Sequence, residues 1–249
     1  MSLGDHLEEL RRRIIYALIG LVVGVAAALC FAPYVIAALK RPYVAVMQRY
    51  PDLKPDLTAL ALTTAFTMYM KVALYAGLVV ASPWVFYQLW MFVSAGLYSK
   101  EKRYVVLAVP FSAALFVGGA VFFLAIVSEP VLHFLIGLSI WLDLVPMITF
   151  ENYIHFMTGM MVVFGLCFQT PLVILLLGAI GVVTTKTLNR YRRHVIVAIF
   201  ILAAVFTSPS PVDQIAMAIP MWLLYELGVL LLYLLSRKKK QHAEDTRAG

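Results

Sequence analysis

Few side chains in this 249-residue chain could do chemistry, and those that could are mostly carboxylates set among cations. Glu101 stands in the stretch Leu97-Tyr98-Ser99-Lys100-Glu101-Lys102-Arg103, with a cation before it and two after. Lys and Arg hold a short loop on the cytoplasmic side of a membrane. A carboxylate is not needed for that, so Glu101 is the first residue to suspect of function. Glu8 and Glu9 form a second acidic pair, just ahead of Arg11, Arg12 and Arg13. Their plain reading is two solvated acids favouring a helix N-terminus. Gln169 lies in an apolar stretch beside Thr170 and Pro171, and Glu226 lies in another. A glutamine at bilayer depth must find a partner or line a wet cavity. An interhelical hydrogen bond is the simpler role for it. An ionisable group within a span is a functional hypothesis by default, and its rival is a carboxyl that stays protonated or sits near the water boundary. Bond-making chemistry is not indicated. His6, His133, His155, His194 and His242 are scattered, and there is no HExxH metal site or GxSxG nucleophile elbow. Cys30 and Cys167 lie in apolar runs, where thiols act as small hydrophobes. No metal-ligand spacing and no cofactor are implied.

The elements that must position these residues are membrane helices. Residues 72–99 and 104–128 contain no Asp, Glu, Lys, Arg or His, and about 20 apolar residues suffice to cross a bilayer as a helix. Hydrophobic residues make up 63% of the chain and charged residues 13%, against about 25% charged in a soluble domain. The formal net charge of +7 does not point to nucleic acid, because the cations gather at the ends of apolar runs. There they act as topology signals and as attraction to anionic lipid.

Taken in order, residues 1–13 read as a short amphipathic cytoplasmic helix, with Leu3, Leu7 and Leu10 on one face, Asp5 as its N-cap and Glu8 in capping-box position. Ile14 to Phe31 is the first span, retained rather than cleaved, and carries the GxxxG pair Gly20 and Gly24. Residues 32–65, with Pro33, Pro42, Pro51 and Pro55, read as a long polar connection. Lys71 near the start of the second span snorkels to the interface or meets a carboxylate in the bundle. Pro83 predicts a kink. The third span is Tyr104 to Ser128, followed by a cation-free connection over 129–151, and the fourth runs from Asn152 to about Ile180. The fifth apolar run, Val195 to Phe206, is only 12 residues long, short for a standard bilayer. The sixth, Ile215 to Leu235, is interrupted by Pro220 and Glu226. The N-terminal segment, the 97–103 turn, the 186–193 loop and the start of the tail carry 3, 3, 4 and 4 Lys and Arg. The expected fold is therefore all-α: a polytopic membrane protein of six transmembrane helices, both termini in the cytoplasm, the fifth and sixth helices short. Its parts are an N-terminal segment 1–13, a transmembrane domain 14–236, and a disordered tail 237–249.

His6-Leu7-Glu8-Glu9-Leu10-Arg11 ahead of a first span resembles the opening signature of the TatC family, the multi-spanning subunits of twin-arginine protein translocases. Tyr87-Gln88-Leu89-Trp90-Met91-Phe92, followed by Leu97-Tyr98 and Glu101-Lys102-Arg103, resembles the family's first cytoplasmic loop. Thr207-Ser208-Pro209, Gln214, Ala218-Ile219-Pro220-Met221 and Tyr225-Glu226 resemble its short fifth and sixth spans. The resemblance covers nearly the whole chain in order. It implies a core receptor in a bacterial cytoplasmic (inner) membrane, binding twin-arginine signal peptides of folded precursors exported by the protonmotive force. Glu9 and Glu101 would take the paired arginines, because a guanidinium forks onto a carboxylate in a way Lys cannot reproduce. Phe92, Leu97 and Tyr98 would belong to the same binding region. Arg11, Lys100, Lys102 and Arg103 would discourage nonspecific cationic peptides. Gln169 would meet the hydrophobic part of the signal. The implied partners are the single-span subunits TatA and TatB, docking at Thr207, Gln214 and Glu226, with several copies in the complex. The chain departs from the family where many members have Glu in place of Gln169, and an acid in place of Ser210. Two other functions compete: a proton- or ion-coupled small-solute transporter, for which Lys71, Gln169 and Glu226 offer a thin set of ionisable or polar groups without an internal repeat, and an intramembrane enzyme.

Overall fold

Every backbone N–H and C=O within lipid must be satisfied inside the protein, and this chain achieves that with helices. The computed structural model describes residues 3–248 apart from 52, 54, 55, 96–101, 145 and 207–210. Helix α1 spans Leu3–Met47, α2 Thr64–Ala95 and α3 Lys102–Phe122. A five-residue π-helical stretch, Phe123–Val127, joins α3 to α4, Ser128–Trp141. Helices α5 (Phe150–Cys167), α6 (Thr170–Ala179), α7 (Thr185–Phe206) and α8 (Pro211–Ala248) follow. Among the described residues, five stretches are long and apolar enough to cross a membrane: Leu7–Met47, Thr64–Ser94, Ala108–Trp141, Phe150–Ala179 and Met217–Arg237. The last is the shortest of the five at 21 residues. Helix α7 is not among them, because Lys186, Arg190, Arg192 and Arg193 occupy its first half and its apolar part is as short as the sequence suggests.

Four boundaries differ from those expected. Helix α1 runs unbroken through residue 13, with Asp5 and Glu8 inside it rather than at a cap. It also continues through Pro33 and Pro42 to Met47, so the connection placed at 32–65 shrinks to 48–63. Leu39, Tyr43, Val46 and Met47 recur at helical spacing and are buried against Met68, Val72 and Ile154. That burial outweighs the local preference of proline to end a helix. The carbonyl of Leu29, which Pro33 deprives of its helical donor, accepts a hydrogen bond from the Tyr69 hydroxyl at 2.6 Å. In α2 the Val79 carbonyl, orphaned in the same way by Pro83, accepts from Ser82 Oγ at 2.7 Å. The third membrane stretch likewise passes Ser128 and runs to Trp141, because Leu132 and Ile136 join the same core. Glu129 stays half-exposed beside Arg49 at 3.9 Å. The connection that follows is therefore 142–149. Helix α8 extends past Arg237 to Ala248, where the sequence suggests a disordered tail; Lys, Gln, Ala, Glu and Arg are good helix formers.

At the end opposite the N-terminal arginines, Phe150 N–H donates to the Thr58 carbonyl at 2.9 Å, which ties the connections before α2 and α5 together. Lys71 meets Glu151 at 3.7 Å, both half-exposed. Lys71 therefore reaches the exposed boundary, as snorkelling predicts, and its carboxylate partner lies there rather than inside the bundle.

Helices α1 and α2 pack as an antiparallel pair along one seam, and small residues make it close. A methyl group on Gly24 would lie 2.8 Å from the Gly77 carbonyl and 2.9 Å from Ala81 Cβ, and one on Gly77 would lie 2.6 Å from Val25 Cα. Further along, Trp84 covers Gly20 and its Nε1 donates to the Tyr16 carbonyl at 2.8 Å. The GxxxG pair therefore serves contact within the chain. Gly77→Val should destabilise the detergent-solubilised protein by about 1–3 kcal/mol, the range for overpacking, read as an earlier thermal unfolding midpoint. Gly118→Ala, whose methyl group would meet nothing within 4 Å, should leave the midpoint in place. Equal midpoints for the two variants would mean that the seam is not tight.

Candidate functional site

The α1–α2 seam ends at the cation-rich face, two turns beyond Gly20, with a set of polar side chains. Glu9 and Arg13 are one helical turn apart on α1, and Arg13 Nε donates to Glu9 Oε1 at 2.7 Å. Arg13 Nη1 donates to Gln88 Oε1 on α2 at 3.1 Å. Gln88 is 3% exposed, while the side chains of Arg13 and Glu9 are 16% and 23% exposed. The seam thus holds a guanidinium between a buried amide and a carboxylate that water still reaches. Arg11 is exposed, and the Arg12 guanidinium lies over the Tyr16 ring at 5.9 Å. Phe92 is half-buried one turn after Gln88. Arg103 belongs to the first turn of α3. Glu101, Leu97 and Tyr98 lie outside the described residues, between the end of α2 at Ala95 and the start of α3 at Lys102.

Gln169 is 9% exposed, at the two-residue break between α5 and α6. Its Nε2 donates to the Ser112 carbonyl at 3.0 Å and to the Gly165 carbonyl at 3.5 Å. Trp90 Nε1 donates to Ser112 Oγ at 2.6 Å. Ser112 is thus a polar junction among α2, α3 and the α5–α6 break, about 15 Å along α3 from Lys102 at the usual helical rise. The interhelical hydrogen bond, one of the two roles expected for Gln169, is present. Nearby, an apolar cavity of about 360 Å³ lies between α3, α6 and α8, lined by Ala108, Phe111, Leu172, Leu176 and Leu232 among others.

At the short helices, Gln214 Nε2 donates to the Phe200 carbonyl at 2.7 Å, joining the start of α8 to α7. Glu226 forms an ion pair with Arg192 of α7, and the neighbouring Tyr225 hydroxyl donates to the Leu188 carbonyl at 2.9 Å. Glu226 Oε1 is buried and accepts no hydrogen bond from the described residues. Gln214 and Glu226 therefore both have partners within the chain. Thr207 lies outside the described residues.

Two residues at the α1–α2 end escape the sequence reading. Arg13 reads from the sequence only as part of a basic cluster, although its i, i+4 spacing from Glu9 is a usable signal. Gln88 sits in an uncharged run, where a buried amide needs a partner just as Gln169 does.

These features define a multi-pass α-helical membrane protein whose polar side chains gather at helix ends and helix breaks. Residues 5–220 match the family profile described as "Sec-independent protein translocase protein (TatC)". The chain belongs to the TatC family of protein translocase subunits, which are neither enzymes nor small-solute transporters. It is 37% identical to the Sec-independent protein translocase protein TatC of Aquifex aeolicus (strain VF5), over 97% of this chain and 98% of that one. It is 35% identical to TatC of Koribacter versatilis (strain Ellin345), over 100% and 92%, and 32% identical to TatCy of Bacillus subtilis (strain 168), over 98% and 94%. A crystal structure of a twin arginine translocase receptor, TatC, in DDM superposes with a TM-score of 0.81 at 36% identity, covering 91% of this chain and 98% of that one.

The Gln169 contacts generate a stability prediction. Gln169→Ala leaves the Ser112 carbonyl without that donor and should destabilise the protein by about 1–3 kcal/mol. Gln48→Ala, at an exposed position, should change stability by no more than about 0.5 kcal/mol. Thermal unfolding of the two variants side by side checks this, and matching midpoints would refute it.

Proposed function

We propose that this protein is the core receptor of a twin-arginine translocase in a bacterial cytoplasmic membrane. It binds twin-arginine signal peptides at the cytoplasmic face and nucleates the complex that exports folded precursors with the protonmotive force. The observation that carries this reading is the carboxylate of Glu9, already engaged by a guanidinium in a partly enclosed setting at the cation-rich face. That is the chemistry an incoming arginine requires, with lower effective dielectric than open water to strengthen it. Glu101 supplies a second carboxylate, three residues after Tyr98 and two before Arg103. Phe92, Leu97 and Tyr98 contribute apolar surface beside it, and Arg11 and Arg103 disfavour cations that do not fork onto a carboxylate. The hydrophobic part of the signal runs inward past Gln169, with the apolar cavity between α3, α6 and α8 as the surface available to it. TatA- and TatB-type single-span subunits dock along α7 and α8 near Thr207, Gln214 and Glu226. The short apolar part of α7 supports that assignment, because it leaves a thin edge for other helices to cover.

The test is binding of a fluorescent twin-arginine signal peptide to variants of the purified protein. Glu9→Ala and Glu101→Ala should each weaken binding by roughly 1–3 kcal/mol, the scale of a hydrogen bond to a charged group. Glu244→Ala, near the C-terminus, should bind as the unmodified chain does. Equal losses at all three positions would mean that bulk charge, not a site, attracts the peptide.

A further inference from the structure

We infer that Gln88 and Arg13 act as a positioning relay that sets the orientation of the Glu9 carboxylate and so contributes to selectivity for arginine over lysine. The inference rests on the reading of Glu9 as the acceptor for a signal-peptide guanidinium. An exposed glutamate on a helix surface samples several rotamers, and an exposed i, i+4 ion pair does little to restrain it. The pair here is different because it does not end at Arg13. Nη1 of Arg13 is committed to Gln88 Oε1 at 3.1 Å, and Nε of the same guanidinium to Glu9 Oε1 at 2.7 Å.

The guanidinium is planar and rigid, so fixing one of its nitrogens fixes the direction of the other. The fixed point is sound. Gln88 is 3% exposed on α2, and its oxygen, buried in a membrane protein, requires a donor. Just below it, the bond from Trp84 to the Tyr16 carbonyl and the close approach at Gly20 hold α1 against rotation. Orientation thus passes from the α2 core through Gln88 and Arg13 to the carboxylate. A carboxylate held in one orientation favours a ligand that needs two aligned oxygens over one that needs a single point charge. Gln88 and Arg13 are positioning residues in this scheme, acting on the ligand through Glu9.

The experiment uses the full-length purified protein in detergent, titrated with a twin-arginine signal peptide and with the same peptide carrying paired lysines. Gln88→Met keeps the side-chain volume and removes the acceptor. It should reduce the arginine-over-lysine preference roughly fivefold, the scale of a coupled pair. In combination with Glu9→Ala it should add nothing to the loss caused by Glu9→Ala alone. Gln88→Glu retains an acceptor oxygen and should keep the preference. Arg13→Lys retains charge without the two-point geometry and should behave like Gln88→Met. The relay is overturned if losses from Gln88→Met and Glu9→Ala add, if both peptides weaken equally, or if Arg13→Lys restores normal selectivity. Tighter binding by Arg13→Lys would also overturn it, by marking Arg13 as an internal competitor for Glu9. If Glu9→Ala leaves peptide binding unchanged, the reading of Glu9 as the acceptor fails. If Glu9→Ala weakens binding and Gln88→Met changes nothing, the relay alone fails.

Discussion

The closeness of α1 to α2 is the constraint on which the rest of the cation-rich face depends. Gly24 against the Gly77 carbonyl and Gly20 under Trp84 bring the two helices together where any larger side chain would separate them. Only at that separation does an arginine one turn after Glu9 reach a buried amide on the neighbouring helix. The seam is thus a packing feature with a chemical consequence. Small residues deep in the pair decide where a carboxylate points at its end, about three to four turns of helix away.

The lipid environment explains the other recurring device. Proline enters α1, α2, α3 and α8, and each proline in a helix frees a carbonyl that water in a soluble protein could satisfy. Here Tyr69 and Ser82 satisfy two of them, from a neighbouring helix and from the adjacent residue. Gln169 acts differently: placed at the α5–α6 break, it joins that break to the Ser112 carbonyl of α3. Irregular backbone within the bundle is therefore tied down by donors from side chains, which keeps the helices in fixed relation across their breaks. Gln169 fills this role without a charge.

Much of this was legible in the sequence. The long uncharged runs and the cations at their ends gave the all-helical membrane fold, the order of spans and the shortness of the fifth, because composition and charge follow directly from what lipid tolerates. Helix ends were less legible. Pro33 and Pro42 read as a connection because local propensity takes no account of a core that buries Leu39, Tyr43 and Val46. Glu129 read as the start of a loop for a similar reason, since one charged residue at the water boundary does not end a helix whose next turns are buried. Motif resemblance singles out Glu9 and gives Arg13 and Gln88 no role of their own. Their meeting depends on residues 75 apart in sequence being brought into register across the seam, and no local pattern encodes that.

Recognition of paired arginines as arginines, rather than as positive charge, is the property on which the proposed site rests. The direct measurement is equilibrium binding of the unmodified, purified protein to a twin-arginine signal peptide and to its paired-lysine counterpart, at the same ionic strength. A carboxylate site read by guanidinium geometry predicts roughly tenfold or greater preference for the arginine peptide. Equal affinity for the two peptides would contradict it, and would leave the acids at the cation-rich face with an electrostatic role only.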